Sequence, residues 1–147
     1  ADAVRGANLA SRVTVQSFDW RTLVALKKIA PEIATACLTI ETPSNDTVQR
    51  TSPTASTWHA GLALADHAGS VPKLARAAGC ATWSPFWRNL SPDAVAEAHA
   101  LGLAVLPWTV NDPADMARLV DWKVDGIITD YPDRLREVLV ARGLAPR

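Results

Sequence analysis

Val105-Leu106-Pro107-Trp108-Thr109-Val110-Asn111 is a short apolar stretch that breaks into polar residues, after which Asp112-Pro113 opens a helical pattern. Asp125-Gly126-Ile127-Ile128-Thr129-Asp130-Tyr131-Pro132-Asp133 repeats the device. Two strand-to-helix junctions in succession constrain the fold strongly. Strands that alternate with helices build a parallel sheet with the helices outside it. The pattern predicts the end of a parallel βα barrel.

The rest of the chain carries the same alternation. The first dozen residues read as the tail of a helix with an exit at 8–12. Residues 13–18 form a strand of alternating character, with Val13, Val15 and Ser17 on one side and Thr14, Gln16 and Phe18 on the other. Asp19 is placed to cap a helix over 20–30, and 33–39 reads as the next strand. Residues 41–57 are rich in Thr, Ser, Pro and Asn without periodicity, which predicts a long loop of functional or mobile character. Then come a helix from Ser70 to near Gly79, a strand over 80–84, a helix over 92–101 behind Ser91, and a strand over 103–109. A helix from Pro113, a strand over 126–129 and a helix from Pro132 to Gly143 complete the order. Five strands are expected in all. A closed barrel has eight such units in about 250 residues. The alternatives are therefore a barrel whose first three units lie elsewhere and a smaller open sheet. No Gly-rich phosphate loop follows any strand, which argues against a doubly wound nucleotide-binding sheet.

Composition removes several function classes. Hydrophobic residues make up 48% and charged residues 20% of the 147 residues, as in a globular domain. Fifteen basic and fifteen acidic side chains cancel, so no field favours nucleic acid or a membrane surface. No apolar run reaches the roughly 18–20 residues that span a bilayer. Cys37 and Cys80 lie in apolar, strand-like runs, where buried free thiols are preferred to a disulfide. The chain begins at Ala1 without a methionine, and the compartment, cytoplasmic or periplasmic, stays open.

In a βα barrel the active site lies at the C-terminal ends of the strands. Those ends carry Gln16, Ser17 and Phe18, then Thr39 and Glu41, Trp83 and Ser84, Trp108, Thr109 and Asn111, and finally Thr129 and Asp130. The set is polar and aromatic with few ionisable groups. It suits the wall of a site better than its acid–base machinery.

Three of these strand ends resemble one family. Val15-Gln16-Ser17-Phe18-Asp19, Trp108-Thr109-Val110-Asn111 and Asp125-Gly126-Ile127-Ile128-Thr129-Asp130-Tyr131-Pro132 are similar, in this order and spacing, to strands of the glycerophosphodiester phosphodiesterases. Trp58-His59-Ala60-Gly61 and Trp83-Ser84-Pro85 resemble segments of one branch of that family. The resemblance runs over about 13–139. It implies a TIM (β/α)8 barrel, of which this chain holds the C-terminal five βα units, the fourth to eighth strands, as one domain portion over 1–147. It implies metal-dependent hydrolysis of glycerophosphodiesters to an alcohol and glycerol 3-phosphate. It also implies two catalytic histidines and a divalent cation, Ca²⁺ or Mg²⁺, held by carboxylates. The family's His-Arg-Gly and Glu-x-Asp strands occur nowhere in this chain. On this reading no catalytic residue and no metal ligand lies here, and the partner is the N-terminal half of the same barrel. What carries over to this chain is substrate binding by Phe18 and Trp108, with Gln16 as a hydrogen-bonding neighbour.

The remaining candidates have structural readings. Asp130 is expected to cap the last helix, and Thr109 and Asn111 to hydrogen-bond where helices begin. His59 is expected at the surface, His67 in a solvated loop, and His99 on a helix away from any strand end. One rival is a non-catalytic half-barrel that associates through open sheet edges at 13–18 and 126–129 and binds a ligand or partner. Another is a different βα-barrel enzyme that uses its last loops for phosphate.

Overall fold

The computed structural model describes residues 1–52 and 54–144. Four parallel strands form one sheet in the order β1 (Thr14–Ser17), β2 (Ala34–Thr39), β3 (Thr82–Pro85) and β4 (Ala104–Val105). The helices are α1 (Asp2–Gly6), α2 (Trp20–Ile29), α3 (Val71–Ala77), α4 (Pro92–Ala100), α5 (Pro113–Asp121) and α6 (Pro132–Ala141). This is the alternating α/β order of a TIM barrel.

Side-chain chemistry starts the helices where the sequence predicts. Asp19, Ser70, Ser91 and Asp112 each accept a hydrogen bond from a backbone N–H of the first turn they precede. Proline occupies the first turn of α3, α4, α5 and α6, where its missing N–H costs nothing. Gly79 and Gly102 follow α3 and α4 with φ of +80° and +73°, a conformation that lets the chain turn sharply into the next strand.

Register separates two faces of the sheet. Ser17, Cys37, Trp83 and Val105 lie in one row across the four strands. Cys37, Trp83 and Val105 enter a core with Leu23, Leu74, Val95, Met116 and Leu119 from the helices. The neighbouring row is Gln16, Ala36, Thr82 and Ala104. Successive side chains of a strand alternate between faces, so this second row points away from the helices. It holds two alanines beside Thr82 and Gln16; Gln16 is exposed and Ala36 is buried.

Two expectations are corrected here. The cysteines are not free thiols: Cys37 on β2 and Cys80 before β3 form a disulfide with Cα atoms 5.9 Å apart. Both are fully buried, as the sequence suggested, but parallel pairing of β2 with β3 brings their side chains together. The pairing of strands distant in sequence is the missing information. The stretches 103–109 and 126–129 are also less regular than expected. Regular pairing of β4 stops at Val105, because Pro85 and Pro107 have no N–H to give. Bonds nevertheless continue from Leu106 N to Trp83 O (3.0 Å) and from Trp108 N to Pro85 O (3.1 Å). Residues 125–130 run alongside as a fifth extended segment, with Asp125 N bonded to Val105 O and Ile128 N to Pro107 O. The Asp125 carboxylate fixes this segment by accepting from Val105 N (2.7 Å) and meeting His99 Nε2 on α4 at 2.9 Å. Among the described residues, β1 pairs only with β2, so one long side of the sheet is open.

Candidate functional site: an aromatic cleft at the strand ends

Phe18, Ile40, Phe86 and Trp108 follow β1, β2, β3 and β4 and share one rim of the sheet. Phe18 and Trp108 meet edge to face with ring centres 5.4 Å apart and planes at 84°. Phe86 also packs on Trp108, with ring centres 5.6 Å apart and planes at 50°. Such contacts are favoured by the ring quadrupoles and fix ring orientation. The Trp108 indole N–H donates to Ser84 O at 2.8 Å, which meets its polar need within the wall. With its N–H engaged, the half-buried ring can offer a ligand only carbon surface.

The 40–70 excursion closes over this rim. Asn89 pins its start by accepting from Glu41 N (2.9 Å) and donating to Glu41 O (2.8 Å). Thr47 N donates to Ile40 O, and the buried Ser56 hydroxyl donates to Thr47 O at 2.7 Å. Trp20 N, at the start of α2, donates to Trp58 O at 2.9 Å. The long loop thus has few regular elements but many specific ties. Between it and the strand ends lies an open cleft of about 510 Å³. Phe18, Ile40, Trp58 and Trp108 form its apolar walls, and the turn from Ser44 to Thr47 forms the polar one.

The structure brings Phe18 and Trp108 into one cleft. Gln16 is placed two residues before Phe18, exposed on β1 and outside the cleft walls. Trp58 and Asp46 are cleft residues: the sequence points to the 41–57 loop and the Trp58 segment as the loops that set substrate choice, without naming Asp46. Their signal was their position in an aperiodic 41–57 segment and in the Trp-His-Ala-Gly that follows it, which says nothing about the direction in which either points.

His59 is corrected most strongly. It is not at the surface but 1% exposed, stacked on Trp20 at 4.4 Å and 27°. Neither ring nitrogen has a hydrogen-bond partner. Burial pushes its pKa down from 6.5 to about 4, against a small opposing pull from the Asp46 charge. The ring is therefore neutral at pH 7 and acts as an apolar plug. Trp20, the residue it covers, sits at the buried start of α2, so the excursion needed an aromatic partner there.

Asp130 is not the cap of α6. Tyr131 occupies that position without a side-chain cap, while Asp130 accepts from Asn111 Nδ2 at 2.9 Å. Asn111 Oδ1 in turn accepts from Thr129 Oγ1 and Asp130 N. This is the hydrogen-bonding role expected of Asn111, and it locks the two strand-to-helix junctions to each other.

Carboxylates around the rim are occupied. Asp19 pairs with Arg21, whose guanidinium holds the Asp19 carboxyl below the usual range. Glu41 pairs with Arg50, Asp112 caps α5, and Asp130 binds Asn111. Among the described residues no three His, Cys, Asp or Glu side chains come together as a metal ion requires. These residues alone do not fit a divalent cation.

Comparison with known proteins gives this geometry a family. The model of the glycerophosphoryl diester phosphodiesterase family matches residues 2–134. A Caldanaerobacter subterraneus subsp. tengcongensis protein named "Glycerophosphodiester phosphodiesterase" is 30% identical over 90% of this chain and 44% of its own length. A Mycobacterium tuberculosis protein named "Probable glycerophosphodiester phosphodiesterase 2" is 52% identical over 54 residues, covering 37% of this chain and 20% of that protein. A crystal structure from Silicibacter pomeroyi DSS-3, named "Putative glycerophosphoryl diester phosphodiesterase", superposes with a TM-score of 0.81 at 34% identity. That match covers 99% of this chain and 44% of the other. The chain thus spans less than half the length of these relatives, and within that span it belongs to the glycerophosphoryl diester phosphodiesterase family.

Proposed function

We propose that this chain is the pocket-bearing half of an enzyme that hydrolyses glycerophosphodiesters to an alcohol and glycerol 3-phosphate. The observation that carries the reading is the aromatic cleft at the C-terminal strand ends, where such barrels bind substrate. Its size lies within the roughly 300–1,000 Å³ usual for small-molecule sites. In this reading Phe18 and Trp108 offer apolar surface to the glycerol carbons and orient the diester. Gln16, deeper on the same face of β1, supplies an amide for a substrate oxygen.

The acid–base groups and the ligands of a divalent cation, Ca²⁺ or Mg²⁺, belong in this reading to the N-terminal units of the barrel. No chemical step is assigned to a cation on the residues present, because they do not fit one. Two features support docking of those units. Gln16 is exposed on β1, whose outer edge has no strand partner among the described residues. At the other edge, a groove of about 600 Å³ between α5, α6 and 123–127 is lined by Val120, Val124, Ile127, Leu135 and Leu139. Both are surfaces that a completed barrel would cover.

The test is release of glycerol 3-phosphate by a barrel completed with its N-terminal units. Trp108→Ala is expected to lower kcat/KM roughly tenfold or more, a loss of ~1.4 kcal/mol of transition-state binding, with the circular dichroism spectrum retained. Wild-type turnover by a folded Trp108→Ala protein would remove Trp108 from the site.

A further inference from the structure

Trp83-Ser84-Pro85 makes up most of β3 and runs beside the segment that carries Trp108. In a parallel ladder a residue gives its N–H to one residue of the neighbouring strand and accepts at its C=O from the residue two further along. Leu106 N donates to Trp83 O (3.0 Å), so the donor due at Leu106 O is the nitrogen of Pro85, which has no hydrogen. The next two bonds of the series are in place, from Trp108 N to Pro85 O (3.1 Å) and from Trp87 N to Trp108 O (3.1 Å). A side chain fills the gap between them: the Ser84 hydroxyl donates to Leu106 O. Ser84 is 1% exposed, so this hydroxyl belongs to the wall and not to a ligand. Ser84 also holds the ring, since its backbone O accepts from Trp108 Nε1 at 2.8 Å. Its own base is fixed to β2 on both sides. Trp83 Nε1 donates to Thr39 Oγ1 at 2.9 Å, and Phe86 N donates to Thr39 O at 2.8 Å.

We propose that Ser84 is the positioning residue of Trp108: its hydroxyl stands in for the N–H that Pro85 lacks, and so sets where the indole sits in the cleft. Without the hydroxyl, Leu106 O loses its donor beside two prolines that can supply none. The 106–108 segment is then free to shift on β3, which stays anchored to Thr39. The Trp108 ring leaves the orientation in which Phe18 and Phe86 meet it at 5.4 and 5.6 Å. The consequence for substrate binding rests on the reading of the cleft as the substrate site; the placement of the ring does not.

The experiment is ¹H–¹⁵N spectroscopy and hydrogen exchange of the intact chain. Six tryptophans give six indole signals, and that of Trp108 is the one lost in Trp108→Phe. In Ser84→Ala the Trp108 signal is expected to move, and its amide and indole protons to exchange with solvent about fivefold faster. Pro85→Ala supplies the missing backbone donor. The Ser84→Ala/Pro85→Ala variant is therefore expected to exchange within about twofold of the wild type, whereas a mere loss of packing would make two substitutions worse than one. Wild-type exchange at Trp108 in Ser84→Ala overturns the proposal, as does a double variant that exchanges as fast as Ser84→Ala or faster. If Ser84→Ala does not fold, a folded double variant supports the proposal and an unfolded one overturns it. In a completed barrel, Ser84→Ala is expected to raise KM for a glycerophosphodiester about fivefold with kcat little changed, and the double variant to restore it. Unchanged KM despite a displaced ring, or no hydrolysis by the wild-type barrel, would sink the cleft as substrate site and not the role of Ser84.

Discussion

Replacing Cys37 and Cys80 together by alanine lowers the free energy of unfolding by about 4 kcal/mol. The bridge joins residues 43 apart in sequence, and that closed loop contains the whole excursion with Asp46, Trp58 and His59. Without the bridge, the unfolded chain regains the freedom of a long aperiodic segment that few regular hydrogen bonds hold in the folded state. Urea titrations of the oxidised protein, the reduced protein and the Cys37→Ala/Cys80→Ala variant measure the effect. Reduction and double substitution are expected to shift the midpoint by similar amounts. An oxidised protein no more stable than the other two would contradict the account. The loss is large beside the 5–15 kcal/mol typical of a whole domain, and it falls on the loop that carries Asp46 and Trp58 to the cleft.

Acidification acts through His59. The folded protein keeps this ring neutral down to about pH 4, whereas the unfolded chain protonates it near pH 6.5. Between these values the unfolded state holds a proton that the folded state refuses, so stability falls as pH falls. Full stability is present above pH 6.5, about 2 kcal/mol is lost by pH 5, and about 3 kcal/mol is lost once the pH passes 4. Other groups also titrate in this range, so the diagnostic is a difference. His59→Leu places apolar bulk against Trp20 and removes two unpartnered nitrogens. Its urea midpoint is expected to fall less than the wild type's between pH 7 and pH 5. Parallel profiles for the two proteins would show that His59 is neither buried nor neutral in the fold.

The parts of this fold that the sequence reveals are those fixed by neighbours along the chain. Asp19, Ser91 and Asp112 cap their helices because a short acceptor followed by a helical pattern serves only a few residues. The alternation of 13–18 likewise separates Val15, packed against the core, from exposed Gln16. What depends on residues far apart is not legible in that way. The Cys37–Cys80 pairing requires the register of β2 on β3. The fate of Asp130 depends on Asn111, 19 residues away, which takes its carboxylate before α6 can use it. Regular pairing of the fifth segment fails because Pro107 in its neighbour interrupts the ladder.

The site divides along the same line. Phe18 and Trp108 each sit at the end of a strand, where position alone aims a side chain at the rim. Trp58, Asp46 and His59 belong to an excursion whose path is set by tertiary bonds such as Trp20 N to Trp58 O and Asn89 to Glu41. The burial of a histidine with no partner runs against its usual surface preference, and stacking on Trp20 overrides that preference here.

The central claim is that this chain builds the wall of a phosphodiesterase site whose acid–base groups lie on other βα units. Its most direct test is release of glycerol 3-phosphate from glycerophosphocholine, with Ca²⁺ or Mg²⁺ supplied, by the 147-residue chain alone and after mixing with an N-terminal half-barrel that carries His-Arg-Gly and Glu-x-Asp strands. The account expects no release above background by the chain alone and steady release after mixing. Sustained turnover by the chain alone would contradict it.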